Sequence, residues 1–219
     1  MDLERIWPPY AVRVTSGDLE LRVIRQEDAP ELVDLVLDGV HEPEVMPFSI
    51  AWTDAPRDEL PENYLRYVAR KVANFDKSAP QFDFVVRLGG QVVGVQAFGG
   101  ASDFVVTRTG ETGSWLGKRF QGRGIGTRMR RLVCAFAFDA LGATEITSGA
   151  FVDNAASLAV SRKVGYQPNG LDRTIRRGEL VMQQRLVLTP DDFDRGPESV
   201  MITGSEGLSA FLHQPVRVP

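Results

Sequence analysis

Apolar and polar positions along this chain of 219 residues repeat with two different periods. Residues 18–24 place Leu19, Leu21 and Val23 on one side, a period of two that predicts a strand. Asp28-Ala-Pro-Glu31 then reads as a helix start, with an acid at the cap and a proline in the first turn. Leu32, Val33, Val36, Leu37 and Val40 follow at helical spacing. Residues 41–57 carry prolines and the aromatics Phe48 and Trp52, the mark of a loop that packs over something. Residues 60–75 predict a second helix with Leu65, Val68, Ala69, Val72 and Phe75 on its inner side.

Residues 82–98 predict a hairpin turning at Gly89-Gly90. Further strand patterns lie at 103–108 and 111–116. A glycine-rich turn, Gln121–Gly126, leads into a helix with Ile125, Met129, Leu132, Val133, Phe136, Ala137 and Ala140 as its buried stripe. Gly142 stops that helix, and residues 144–149 form a strand. Asp153-Asn154 caps a helix that runs to Val164 and ends at Gly165. A last hairpin covers about 171–188 and turns at Arg177-Gly178, and residues after Pro190 are weakly patterned. Early hairpins followed by helix-linked strands imply a mixed α/β (α+β) sheet.

Composition adds limits. Hydrophobic content is 43% and charged content 25%, enough for one sizeable core. No apolar run is long enough to span a bilayer, and the N-terminus lacks a cationic-then-apolar leader, so a cytoplasmic location is the expectation. One cysteine, Cys134, and two histidines, His41 and His213, leave little for a disulfide, a metal centre or a serine–histidine site. Cys134 reads as a small core residue on a helix. The net charge of −4 is unevenly spread. Residues 1–60 hold fourteen acids against five bases, and residues 118–188 hold five acids against twelve bases. Such asymmetry suits an anion at one place and a cation at another, although two solvated faces give the same counts.

The candidate chemistry centres on Gln121-Gly122-Arg123-Gly124-Ile125-Gly126-Thr127. Glycines let backbone N–H groups converge, and a helix N-terminus adds partial positive charge, so a phosphate or pyrophosphate fits there. Lys118, Arg119, Arg123, Arg128, Arg130 and Arg131 surround it with no acid between 118 and 131. The Gly-Lys-Ser/Thr ending of a P-loop is absent, and the dinucleotide pattern G-x-G-x-x-G fails in both registers.

The pattern that fits is Q/R-x-x-G-x-G/A, filled by Gln121, Gly124 and Gly126. With it the chain resembles the GNAT superfamily of acyl-CoA N-acyltransferases over roughly residues 18–188. A second segment, Asn154-Ala-Ala-Ser157 followed by Lys163-Val-Gly165-Tyr166, is similar to the RimJ/RimL-like branch of actinobacterial type. The resemblance implies a GNAT domain over residues 1–190, with a mixed central sheet of about seven strands, flanked by helices and splayed where coenzyme A binds. Residues 191–219 would be a C-terminal extension, part of the same unit or a tail.

The resemblance also implies roles. Acyl-CoA, as acetyl-CoA or succinyl-CoA, is the expected cosubstrate, with no metal. Ser114, Trp115 and Leu116 would pair with the pantetheine arm through the strand edge. Gln121, Gly122, Arg123, Gly124, Ile125, Gly126 and Thr127 would hold the pyrophosphate. Asn154, Ser157 and Arg162 would complete the donor site, with Arg123, Arg128, Arg162 or Lys163 facing the 3′-phosphate.

Many family members carry a tyrosine seven residues after the asparagine as the acid for the departing thiolate; here that position is Ser161. Ser157 is the candidate donor instead, against a plain first-turn helix serine. Asn154 reads equally as an N-cap, and Tyr166 as packing. Glu111 is the candidate base, against an exposed strand charge, and Glu179 is a weaker one. His41, Trp52 and Asp54 are candidate acceptor-binding residues, each also readable as ordinary packing or surface.

The expected acceptor is a primary amine: a protein N-terminus, a lysine or a small cationic molecule. No membrane partner is expected, and a homodimer is an expectation of the branch. Two other readings stay open. One is a CoA-binding protein of this fold without catalysis. The other is a nucleic-acid-binding regulator using residues 118–131, against which the acidic net charge and the lone Phe120 argue.

Overall fold

Period-two segments become strands here because alternate residues face a shared core. The computed structural model describes residues 1–213. In chain order it contains α1 (Leu3–Ile6), β1 (Arg13–Ser16), β2 (Leu19–Val23), α2 (Ala29–Asp38), α3 (Leu60–Ala73), β3 (Gln81–Leu88) and β4 (Gln91–Gly100). There follow α4 (Phe104–Thr107), β5 (Thr109–Leu116), α5 (Ile125–Ala135), β6 (Glu145–Phe151) and α6 (Ala155–Val164). The chain closes with β7 (Gln167–Arg176), β8 (Glu179–Leu188), β9 (Met201–Thr203) and α7 (Leu208–His213). Residues 214–219, the end of the C-terminal extension, lie outside the described residues.

The strands form one open sheet in the order β7-β8-β6-β5-β4-β3-β2-β1-β9. Neighbours are antiparallel, except β5 and β6, which are parallel. The sheet therefore has nine strands where the resemblance implied about seven. The two added strands, β1 and β9, are four and three residues long and pair with each other at one edge. Segments that short carry too few alternations to read.

Two other expectations are corrected. Residues 103–108 form no strand; α4 occupies Phe104–Thr107, with Asp103 and Arg108 left-handed on either side. The reason is topological. Gly100 of β4 lies opposite Gly110 of β5, so the residues between must reverse the chain. Phe104 packs on Phe98 in that turn, with ring centroids 5.8 Å apart.

Helix α3 buries Tyr64 and Val68, while Leu65 and Val72 are exposed. Val68 and Phe75 hold their expected inward places, while Tyr64 takes the inward position in place of Leu65.

The core lies between the sheet and α5 with the π-helical turn that continues it, Phe136–Ala140. Phe82 and Phe84 each meet Phe136 edge-on at 5.3 Å. All three rings are fully buried, worth roughly 1.5–3 kcal/mol each in transfer free energy. This packing fixes α5 under the middle of the sheet and so places the turn at its N-terminus. Among the described residues no helix is long and apolar enough to cross a membrane.

Candidate active site

Strands β5 and β6 pair only at their first residues, Thr109 with Glu145, Gly110 with Ile146 and Glu111 with Thr147. Beyond that point they diverge, and residues 112–116 and 148–151 share no pairing. The split leaves one edge of β5 open over Ser114, Trp115 and Leu116. An open edge offers unpaired amide and carbonyl groups to an extended ligand.

The glycine turn stands at the mouth of the split. Gly122 (φ +72) and Gly124 (φ +79) are both left-handed, and a Cβ on either would meet nothing within 4 Å. The glycines are thus required by backbone conformation and not by crowding. Gly124 is the N-cap of α5. Among the described residues no carbonyl or side chain accepts from the N–H groups of residues 123–126. These orphan donors and the helix dipole define an anion site with the chemistry of a pyrophosphate cradle.

Gln121 has a different part from the one expected. Its amide donates to Val40 O at 2.7 Å and Leu116 O at 2.9 Å. It braces the turn against the end of β5, with both its donors spent on the chain itself.

The basic run is also largely spent internally. Lys118 pairs with Glu42, Arg119 with Asp38 and Arg131 with Asp194. Arg128 pairs with Asp18 and Glu198 and bonds Ser16 O, so it is anchored away from the turn. Arg123, Arg162 and Lys163 are exposed and have no side-chain partner among the described residues. Arg130 is buried and bonds Ser114 and Ser148.

At the start of α6, Asn154 acts as the N-cap: its Oδ1 accepts from the Ser157 N–H at 3.1 Å. Ser157 is half-buried in the first turn. Ser161 is fully buried. Tyr166 is buried and hydrogen-bonds Thr112 at 2.7 Å. Cys134 is fully buried, and burial pushes its thiol up to about 11. Glu111 is exposed on β5.

Across β5 a second pocket encloses about 350 Å³. One wall is Phe48, Ile50 and Trp52 of the 41–57 loop, and another is Tyr64 and Tyr67 of α3. Its floor is β4 and β5, ending at Ser114 and Trp115. Trp52 lies 5.9 Å from Trp115 and 5.3 Å from Phe48 by ring centroids. Burial holds the Tyr64 and Tyr67 hydroxyls protonated well above the usual phenol range, and the Asp83 charge adds to the effect. Asp83 is buried beneath them, bonded to Tyr67 at 3.1 Å and paired with Lys71 at 2.6 Å.

Of the three candidate acceptor residues, Trp52 alone lines this pocket. His41 bonds Thr53 at 2.7 Å and the Glu42 carbonyl at 2.8 Å. Asp54 is engaged by Arg177 through two bonds of 2.8 and 2.6 Å. Asp54 is thereby neutralised by the chain itself, and its carboxyl is held below the usual range by that guanidinium. The tyrosines of α3 and Asp83 were missed because they come from separate segments; the run Asn63-Tyr-Leu-Arg-Tyr67 was their one visible signal.

An open sheet split between two parallel strands, with an anion-holding turn at the mouth, is the layout of an acyl-CoA-dependent transferase fold. The sequence profile of the acetyltransferase (GNAT) domain family matches residues 18–167, and the chain belongs to that family. Its fold is similar to Mycobacterium smegmatis RimJ in complex with CoA-disulfide, with TM-score 0.70 and 20% identity over 92% of each chain. It is also similar to RimL, a ribosomal L7/L12 alpha-N-protein acetyltransferase in complex with coenzyme A. There the TM-score is 0.68 and the identity 19%, over 81% of this chain and 97% of that one. YdaF of Bacillus subtilis (strain 168), named for ribosomal N-acetyltransferase activity, is 35% identical over 68 residues. That match spans 31% of this chain and 37% of YdaF, little more than a third of the relative's length.

Proposed function

We propose that this protein transfers an acetyl group from acetyl-CoA to a primary amine of a protein acceptor. The names of RimL and YdaF make ribosomal proteins the first acceptors to try. The observation that carries the reading is the row of unpaired N–H groups at residues 123–126, opening onto the unpaired edge of β5.

In this reading the turn holds the pyrophosphate and residues 114–116 align the pantetheine arm. Arg123, Arg162 and Lys163 are the cations left to meet the 3′-phosphate. The amine enters from the aromatic pocket, whose end at Ser114 and Trp115 meets the donor edge. Positioning two reactants at one strand edge removes much of the entropic barrier to a bimolecular step. The amine nitrogen attacks the thioester carbonyl, the C–S bond breaks, and no enzyme-bound acyl group forms. Glu111 is the candidate base for the amine proton, acting through water, and Ser157 the candidate donor to the leaving sulfur. The buried Cys134 has no part.

Calorimetry with CoA, acetyl-CoA and succinyl-CoA tests the donor site. Tight binding of acetyl-CoA, with no gain for succinyl-CoA, supports acetyl transfer, and a clear succinyl preference would rename the reaction. Mass spectrometry of peptides carrying ribosomal-protein N-termini then tests the acceptor. Binding of none of the three ligands overturns the reading.

A further inference from the structure

Arg130 is a buried cation whose charge is not matched within the protein. It is 3% exposed, and among the described residues no carboxylate lies within ion-pair distance. A guanidinium does not shed its proton, so burial cannot neutralise it. An uncompensated buried charge is costly unless something else meets it. The nearby acidic groups do not supply a counter-charge. Cys134 is pushed upward by burial, and so is the Tyr166 hydroxyl, whose ring lies 5.9 Å from the guanidinium.

What meets Arg130 is a pair of hydroxyls on the two diverging strands. One nitrogen donates to Ser114 Oγ on β5 at 3.0 Å, and the other donates to Ser148 Oγ on β6 at 3.2 Å. Both serines lie just past the last β5–β6 pair, Glu111 with Thr147. The fork therefore sits under the apex of the split.

The two hydroxyls differ in one respect. Ser148 passes its hydrogen on to Thr112 O at 3.2 Å. Ser114 Oγ accepts from Arg130, and its own hydrogen has no acceptor among the described residues. Ser114 is half-buried and borders the aromatic pocket. A hydroxyl whose oxygen accepts from a cation is polarised and donates more strongly.

Acyl transfer develops negative charge first on the carbonyl oxygen of the tetrahedral adduct and then on the sulfur released when the C–S bond breaks. The asparagine-plus-seven position holds the fully buried Ser161, and among the described residues no hydrogen bond orients the Ser157 hydroxyl, so a second, held donor to that sulfur has a place. We propose that the Ser114 hydroxyl, polarised and held by Arg130, is a hydrogen-bond donor to the departing thiolate in addition to Ser157. This rests on the acetyl-CoA reading above. The amine forms the new C–N bond and loses one proton to water. The C–S electron pair goes to sulfur, and Ser114 keeps its proton while sharing it. Arg130 is the positioning residue, and the free thiolate is protonated from water after release.

The test uses binding, and so needs no acceptor. CoA and its desulfo analogue are titrated into the full-length protein by calorimetry between about pH 7 and pH 9, the range in which a thiol ionises. If Ser114 stabilises the thiolate, CoA affinity rises with pH relative to the desulfo analogue. The bound thiol then titrates about one unit below the free one, a tenfold preference. Ser114→Ala reduces that preference, read as the ratio of the two affinities, to less than about threefold, whereas Ser114→Thr keeps it. Arg130→Gln abolishes the preference; if that variant does not fold, Ser114→Ala alone decides.

An equal pH response for CoA and its desulfo analogue in the unmodified protein overturns the proposal and leaves the donor site standing. So does a full preference in Ser114→Ala. No binding of either ligand overturns both this proposal and the acetyl-CoA reading.

Discussion

The turn before α5 and the aromatic pocket across β5 are both shaped to receive a ligand, by opposite means. The turn is one short continuous stretch that offers backbone N–H groups, and side chains hardly enter. The pocket draws single side chains from the 41–57 loop, α3, β3, β4 and β5, and its backbone hardly enters. A backbone site depends on a few dihedral angles and fails abruptly when one is forbidden. A side-chain site shares its contacts among many rings and degrades by degrees.

The largest expected effect follows on the backbone side. Gly124→Val forces a β-branched residue to φ +79, where even an ordinary residue costs roughly 1–2 kcal/mol. The chain can escape by rotating the N–H groups of the turn. Acetyl-CoA affinity should fall by about a hundredfold, on the order of 2.8 kcal/mol, while the fold persists. Calorimetry and circular dichroism together check this. Unchanged affinity would mean that the turn does not hold the donor, and the contrast would collapse.

On the side-chain side, Trp52→Ala removes one ring that packs at a tilt against Phe48, Tyr64 and Trp115. The acceptor KM should rise about tenfold, or ~1.4 kcal/mol, with the KM for acetyl-CoA changing less than about twofold. Equal changes in both constants would show that the pocket and the donor edge are one site.

The same contrast explains what could be read from the sequence. The turn is local, so Gln121, Gly124 and Gly126 announced it, and the capping role of Asn154 was legible for the same reason. Both hairpin tips fell where Gly89-Gly90 and Arg177-Gly178 placed them. The pocket is non-local. Asp83 sits in an apolar strand, and its partner Lys71 lies on a helix whose expected stripe missed the inward Tyr64 and included the exposed Leu65 and Val72. The strand pattern at 103–108 misled because β-branched residues also fit a one-turn helix when the chain must reverse. The basic run suggested a polyanion site with many cations, yet most of them are matched by acids from distant segments such as Asp18, Asp38 and Asp194. Charge counting does not see such pairing.

A third expectation sharpens the comparison by probing the scaffold that both sites share. Cys134 is fully buried on α5, and its thiol is raised from 9.0 to about 11 by loss of solvent. A raised folded value gives stability that is complete below the unfolded value and is lost as pH climbs through the folded one. Between about pH 9 and pH 11 the protein should lose up to roughly 2–3 kcal/mol on this account. Urea melts across that window, compared with Cys134→Ala, measure it. The native thiol should also resist a thiol reagent until urea unfolds the chain. Rapid labelling in the native state would show that α5 opens locally and would weaken any claim that the turn is pre-formed.

The smallest effect concerns the contact that joins the pocket to the far hairpin. Arg177 at the β7–β8 tip holds Asp54 with two bonds and donates to Pro43 O at 2.9 Å. Its neighbour Arg176 holds Asp153 in the same forked way, at 2.9 and 2.7 Å. The hairpin thus ties down the loop that supplies Phe48 and Trp52 to the pocket, and through Asp153 the residue before the cap of α6. Both partners of the Arg177–Asp54 pair face solvent, so its removal should leave the melting temperature nearly unchanged. Its consequence lies in loop order. Arg177→Ala should raise the acceptor KM about twofold to threefold and leave kcat alone, because uniform binding is lost and not transition-state binding. The pair also sets an acid limit. The Asp54 carboxyl is lowered below 3.8 by Arg177, so the contact is complete above that value and is lost as pH falls through the lower folded one. At neutral pH the tie should therefore be insensitive to pH and weakened by salt, since exposed charges are screened. An acceptor KM that rises with ionic strength in the unmodified protein, and is flat in Arg177→Ala, is the expected result. An equal salt response in both would place the order of the loop in its aromatic packing on Trp115 and Tyr64, and the side-chain site would be self-supporting.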